Sequence, residues 1–129
     1  MLYQPDSLKW KDAGKRAEAA GLSARLLSFQ GGEHLCCESW RVARPDTGTL
    51  RNVYILWTAE GITSVVCECR TREQNEHDCA CCHAAAAVEA SFDLAIQDAW
   101  QDDDGGLVTV VTPSNGPGYA VPTQRIESL

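Results

Sequence analysis

The chain has 129 residues, of which 44% are hydrophobic and 22% charged, and its formal net charge is −7. That size suits one core of modest extent, and the composition excludes a fully disordered or collagen-like chain. Apolar stretches break well before the roughly 18 residues a membrane helix needs, and Met1 to Lys9 hold no apolar run of signal-peptide type, so the expectation is a cytoplasmic protein with no membrane partner.

Chain order starts with a helix. Pro5-Asp6-Ser7 offers an N-cap in Asp6 or Ser7, Lys9 to Ala20 the body and Gly21 a stop, with Leu8, Ala13, Ala17 and Ala20 on roughly one face and Lys11, Lys15 and Arg16 in water. Ala24 to Phe29 fits neither a helical nor a strand period cleanly and is left open. Strand signals then follow at Leu35 to Ala43, Leu50 to Thr58 and Ile62 to Cys69, joined by Pro45-Asp46-Thr47-Gly48 and by Ala59-Glu60-Gly61, which predicts an antiparallel meander. Both faces of the middle strand carry apolar groups, so it is placed centrally. Arg70 to Asp78 reads as a polar loop, and Ala80 to Trp100 as a helix that buries Val88, Phe92, Ile96 and Ala99. Leu107 to Thr112 can add an edge strand, while Pro113 to Pro122 is too rich in proline and glycine for regular structure. The expected fold is therefore α+β, with an N-terminal helix, a three- to four-stranded meander and a C-terminal helix over 1–104, followed by a tail over 105–129.

Five of the seven cysteines lie between Cys67 and Cys82. In a reducing compartment, clustered thiols point to metal binding or catalysis rather than to a disulfide framework. Residues two apart on a strand face the same side, so Cys67 and Cys69 project together while Glu68 points away. After eleven intervening residues, Cys81-Cys82-His83 supplies a second chelating pair. Three thiolates and one imidazole are what a four-coordinate structural zinc ion takes, with no position left for a reacting water. With that ion bound, the formal charge becomes about −8. The set Cys67, Cys69, Cys79 and Cys82 is an alternative, because Cys79-x-x-Cys82 is itself a zinc-knuckle spacing. Cys36 and Cys37, adjacent on a strand, face opposite sides and are read as core filler rather than as a metal pair. His34 and His77 are read as exposed loop residues.

The pattern Cys67-x-Cys69, a gap, then Cys81-x-His83 resembles the SWIM zinc finger, over roughly Leu35 to Trp100. The resemblance implies a first pair on a strand, a second pair at a helix start, and a zinc site joining the two, and it favours Cys81 and His83 over Cys79 and Cys82. It implies a role in binding DNA or protein, since members of that family serve in chromatin remodelling, transposition, ubiquitin transfer and recombination. Nothing resembling an ATPase or transposase domain accompanies it here.

Catalytic readings fare worse. No histidine is followed two residues later by glutamate, as a zinc deaminase requires, and no nucleophile elbow, P-loop or dinucleotide fingerprint is present. The expectation is a non-enzymatic zinc module with a protein partner, DNA, or both, and with no small-molecule substrate; a zinc-free thiol protein with a redox or Cys-His catalytic role is the competing one. Charge divides these partners. Met1 to Gln30 carries five basic and three acidic residues, whereas Ala84 to Asp104 carries six acidic and no basic ones. Lys9, Lys11, Lys15, Arg16, Arg25, Arg41, Arg44, Arg51, Arg70 and Arg72 are the candidates for phosphate contacts, against an acidic total that favours a protein partner.

Overall fold

The computed structural model describes residues 6–31, 35–58, 60–68, 81–101, 107–113 and 117–125, with the backbone path alone for 95–101, 107–108 and 124–125. Helix α1 runs Leu8–Ala20. Ser7 is its N-cap and accepts the Trp10 N–H at 3.3 Å, while Gly21 (φ 65°) ends it, with the Gly21 and Leu22 N–H groups donating to Glu18 and Ala17. That pair of reversed bonds satisfies carbonyls the helix would leave open, and the left-handed backbone suits glycine. The buried stripe is Trp10, Ala13 and Ala17, not one that includes Leu8, which is 84% exposed. Leu8 lies two residues before Trp10, about 200° away around the helix, and so faces water.

Strands β1 (Ser23–Gly31), β2 (Leu35–Arg44), β3 (Thr49–Thr58) and β4 (Gly61–Cys67) form an antiparallel meander: β2 to β4 correspond to the three expected strands, but β4 ends at Cys67 with Glu68 in a turn, short of the expected Cys69, and β1 is the segment left open. Gly48 (φ 71°) closes the β2–β3 turn by donating to the Arg44 carbonyl at 2.8 Å. The ambiguous pattern in β1 has a structural cause. A bulge between Leu26 and Ser28 shifts the register, so Leu26 opposes Trp40 and Phe29 opposes Glu38, and both turn towards the core despite their odd spacing.

Helix α2 runs Cys82–Asp93. It is followed by β5 (Ala95–Gln101), β6 (Leu107–Thr112) and β7 (Tyr119–Arg125), and the seven strands form one sheet in the order β4-β3-β2-β1-β7-β6-β5. Three expectations are corrected here. The helix expected over Ala80 to Trp100 ends at Asp93, because Leu94 turns to extended backbone (φ −84°, ψ 125°) and the next residues pair with β6 from Ala95↔Thr112 to Gln101↔Leu107. Val88 is buried as expected, but Phe92 is 59% exposed, and Ile96 and Ala99 belong to a strand. Strand β6 has the expected bounds yet lies between β5 and β7 rather than at an edge. The segment thought too rich in proline holds β7, which pairs antiparallel with β6 and parallel with β1. Pro122 fits because it opposes Val108 one residue before the pairing with β1 begins at Phe29↔Thr123.

Both helices cover one face of the sheet. That face presents Leu26, Trp40, Val42, Val53, Ile55, Val65 and Cys67, and it meets Ala84, Ala87 and Val88 of α2, while Val111 and Val121 extend the same core. Small residues on α1 and α2 (Ala13, Ala17, Ala84, Ala87) allow the two helices to approach closely. Among the described residues, no helix is long and apolar enough to cross a membrane.

Candidate metal centre

The period of β4 carries Cys67 into the site. Val65 and Cys67 share the helix-covered face, and Cys67 is fully buried at the strand's last position, opposite Val53. The next residue is pinned twice: the Glu68 N–H donates to the Asn52 carbonyl at 3.1 Å, and the Tyr54 hydroxyl donates to Glu68 Oε1 at 3.1 Å. That hydrogen bond, followed by burial and the carboxylate's charge, pushes the Tyr54 hydroxyl's pKa up.

Cys81 reaches the same place from the helix side. It is the N-cap of α2, with extended backbone (φ −104°, ψ 168°); its Sγ accepts the Ala84 N–H at 3.3 Å and its carbonyl accepts the Ala85 N–H at 3.0 Å. An N-cap side chain stands over the open N–H groups of the first turn, and the positive end of the helix dipole favours negative charge on that sulfur. Cys81 is 4% exposed, and His83, half-buried in the first turn, holds Nδ1 at 4.0 Å from Cys81 Sγ.

Together Cys67, Cys81 and His83 bring their ligand atoms within 4.8 Å of one another. Zinc–sulfur bonds of about 2.3 Å and zinc–nitrogen bonds of about 2.0 Å, set tetrahedrally, place ligand atoms about 3.5 to 3.8 Å apart. The group therefore needs to close by about 1.3 Å at most to hold such an ion, a change on the scale of small side-chain torsions. The donor set is soft, thiol and imidazole without a carboxylate, and suits a transition metal rather than calcium or magnesium. Among the described residues this is the one group of three such side chains that converges in this way.

Of the four ligands expected from the sequence, Cys67, Cys81 and His83 are thus brought together, and Cys69 lies outside the described residues. Cys79, His34 and His77 lie outside them as well, as do Arg70 and Arg72. Cys82 is half-buried, with Sγ 4.0 Å from His83 Nδ1, but it is not a member of the converging group.

Cys36 and Cys37 are half-buried on β2. Burial first, then the Glu38 carboxylate and Cys37, push the Cys36 thiol up to about 11, and burial and Glu38 raise Cys37 as well. Both thiols are thereby held in the protonated form, which is the poorer nucleophile and the poorer ligand.

Sequence reasoning missed Glu38. It is 4% exposed on the core face of β2, where Oε1 accepts from Trp40 Nε1 at 2.9 Å and from the Ser91 hydroxyl, while Ser91 Oγ accepts from Trp57 Nε1 at 3.1 Å. Trp40 is core, and Trp57 is half-buried with its ring edge against Phe92 at a centroid distance of 5.3 Å. The available signal was a carboxylate at an inward position of a strand, between Cys36 and Trp40, where an apolar residue is the rule.

Among the described residues, several basic candidates are already engaged, and Arg25 lies opposite Arg41 across β1 and β2. Arg16 pairs with Asp12 at 3.0 Å, Arg44 pairs with Asp46 at 3.0 Å, and Arg25 stacks on Tyr119 at 3.9 Å. Lys11 and Lys15 share a hollow with Asp12, Glu18 and Glu89. No protein-family model matches the chain, and no curated protein or solved structure matches it.

Proposed function

We propose that the chain is a non-catalytic zinc-finger binding module, in which zinc held by Cys67, Cys81 and His83, with Cys69 as the fourth ligand, locks the end of β4 to the start of α2. The single observation that carries this reading is the convergence of two buried sulfurs and an imidazole from two different elements within 4.8 Å. Cys69 is assigned from the Cys67-x-Cys69 spacing, as the resemblance to SWIM fingers implies, and not from β4, which ends at Cys67. Zinc is the ion of choice because it accepts mixed sulfur and nitrogen donors tetrahedrally and brings no redox chemistry.

Four protein ligands leave no open position on the ion, so it orders the chain and does not activate water. The remaining thiols offer no competing nucleophile in Cys36 or Cys37, both held protonated. What such a module presents is surface. The resemblance of the ligand spacing to SWIM fingers supports a part in a DNA-transaction assembly, as a protein-binding or DNA-binding module. The net charge of −7 and the interleaving of basic with acidic side chains support protein as the partner over direct contact with phosphates.

Elemental analysis of the purified chain and of Cys67→Ser, Cys69→Ser, Cys79→Ser, Cys81→Ser and His83→Ala tests the assignment. About one zinc per chain is expected, reduced at positions 67, 69, 81 and 83 and retained in Cys79→Ser. Metal-free folded protein would overturn the proposal; zinc lost with Cys79→Ser and kept with His83→Ala would move the site to the alternative ligand set. Titration with short duplex and single-stranded DNA at low and moderate salt decides the DNA branch, since phosphate contacts must weaken as salt rises.

A further inference from the structure

We infer that two copies of the chain associate face to face through the side of the sheet that the helices leave bare, β3 against β3, with Arg41 of each copy paired to Glu68 of the other. The inference goes beyond the module reading and does not depend on the metal.

The strand period divides the meander's side chains between two faces. Trp40 and Val42 of β2, Val53 and Ile55 of β3, and Val65 and Cys67 of β4 turn towards the helices and are buried. Arg41, Leu50, Asn52, Tyr54, Val66 and Glu68 turn the other way, and among the described residues no helix covers that side. Three large apolar side chains stand in water there: Leu50 is 52% exposed, Val66 39% and Tyr54 38%. Tyr54 lies directly opposite Val66 in the β3–β4 ladder, so the two form one contact surface. An exposed apolar patch of this kind, rimmed by polar groups, marks an interaction site.

Charge selects the occupant. Arg41 lies opposite Asn52 of β3, and the Asn52 carbonyl accepts the Glu68 N–H from the other side at 3.1 Å, so a guanidinium and a carboxylate flank β3 at one level. Both are exposed; Arg41 forms no ion pair with a described residue, and Glu68 accepts only from the neutral Tyr54 hydroxyl. A two-fold axis running along β3 between two such faces sets β2 of one copy over β4 of the other. Arg41 then meets Glu68 twice, while Leu50 and Tyr54 meet their own counterparts on the centre line. The face is thus complementary to itself, whereas a uniformly basic or acidic partner would match one flank and be repelled by the other.

Sheets stacked in this way lie about 10 Å apart. Four strands about 4.8 Å apart, the shortest of seven residues, offer a face roughly 19 Å by 24 Å, which suits a micromolar dimer rather than a permanent one. The net charge of −7 on each copy opposes association from a distance, but at about 0.15 M salt the Debye length is about 8 Å and the facing groups dominate.

Sedimentation velocity on the full chain, zinc-loaded and under reductant at about 0.15 M salt, tests this over a range of protein concentrations from about 1 to about 300 µM. A monomer–dimer equilibrium with a micromolar dissociation constant is expected. Arg41→Glu and Glu68→Arg should each weaken it about tenfold or more, because like charges then face each other at both pairs, and the doubly exchanged Arg41→Glu/Glu68→Arg chain should return to within about threefold of the original. Leu50→Lys, an exposed position on the centre line, should abolish the dimer with the thermal midpoint little changed, and Lys15→Glu on α1 should change nothing. Circular dichroism and zinc content accompany every variant, so that loss of association is separated from loss of fold or metal. A chain that stays monomeric throughout would overturn the inference, as would a dimer indifferent to Arg41→Glu and Leu50→Lys, or one that the exchanged pair fails to restore with fold and zinc intact. Metal-free folded chain that dimerises in the expected pattern would remove the zinc reading and leave the interface standing.

Discussion

At its N-terminal end α2 meets β4 through the sulfurs of Cys67 and Cys81 and the imidazole of His83, whereas at its C-terminal end Ser91 meets β2 and β3 by donating to Glu38 and accepting from Trp57. The first fastening, on the proposed reading, exists only when an ion is present. The second is permanent, because buried hydrogen bonds need no ligand, but each is worth far less than a metal site. On that reading, one helix is held conditionally at one end and unconditionally at the other.

The largest effect should come from breaking the conditional end. Structural zinc contributes on the order of 10 kcal/mol in small fingers, comparable to the stability of a whole domain. Chelation, or Cys81→Ser, is expected to lower the thermal midpoint by well over about 10 °C, read by circular dichroism. Cys81→Ser keeps an N-cap oxygen for the first turn, so the loss reports on the ion rather than on the cap. An unchanged midpoint after chelation would show that protein contacts alone hold the joint.

A smaller effect is expected at the other end. Ser91→Ala removes one donor from the buried Glu38 carboxylate and the acceptor of Trp57 Nε1, at a cost of about 1–3 kcal/mol in urea unfolding. Zinc stoichiometry should stay whole. Combined with His83→Ala, the two losses should add to within about 0.5 kcal/mol if the fastenings are independent. A coupling well above that would mean that α2 transmits strain from one end to the other. Smaller still, Ser7→Ala removes the cap of α1, which packs along α2, and should cost about 1 kcal/mol with zinc content unaffected.

How far the sequence foretold this divides along the same helix. The residues before and at its start were legible: caps at Ser7 and Gly21, the β2–β3 turn, and the strand period that turns Cys67 inward all follow from local chemistry. The second ligand pair was less so, because Cys79, Cys81, Cys82 and His83 crowd together and spacing alone does not choose. The structure brings Cys81 and His83 to Cys67 because the N-cap position directs one sulfur over the first turn and the next residue but one follows it. Beyond Asp93 only the bounds of β6 were legible. Strand β7 is held to β1 far back in the chain, as where the Tyr119 hydroxyl accepts the Leu26 N–H across 93 residues, and β5 and β6 follow from it; a helical-looking run of Val88, Phe92, Ile96 and Ala99 carries no record of such partners. Glu38 escaped notice for a similar reason, since its partners Trp40 and Ser91 lie on β2 and α2, with Trp57 of β3 donating to Ser91, and only the fold assembles them.

Between the two ends, alkaline pH offers a probe that leaves every ligand in place. Cys36 lies on the core side of β2 with Glu38, and its folded-state pKa of about 11 stands above the ordinary value of 9.0. Above pH 9 the unfolded chain releases that proton while the folded chain keeps it, so stability present below pH 9 is lost as the pH rises through 11. Cys37 and Tyr54 are raised too and act in the same direction. Urea midpoints taken from pH 8 to 11 should therefore fall, and fall less steeply in Cys36→Ser, whose hydroxyl does not titrate there. Equal slopes would mean that Cys36 is hydrated in the folded state, and that the β2 side of α2 is more open to water than its hydrogen bonds to Glu38 imply. A shallower slope would place the dry, ligand-independent fastening of the helix where the Glu38 network lies.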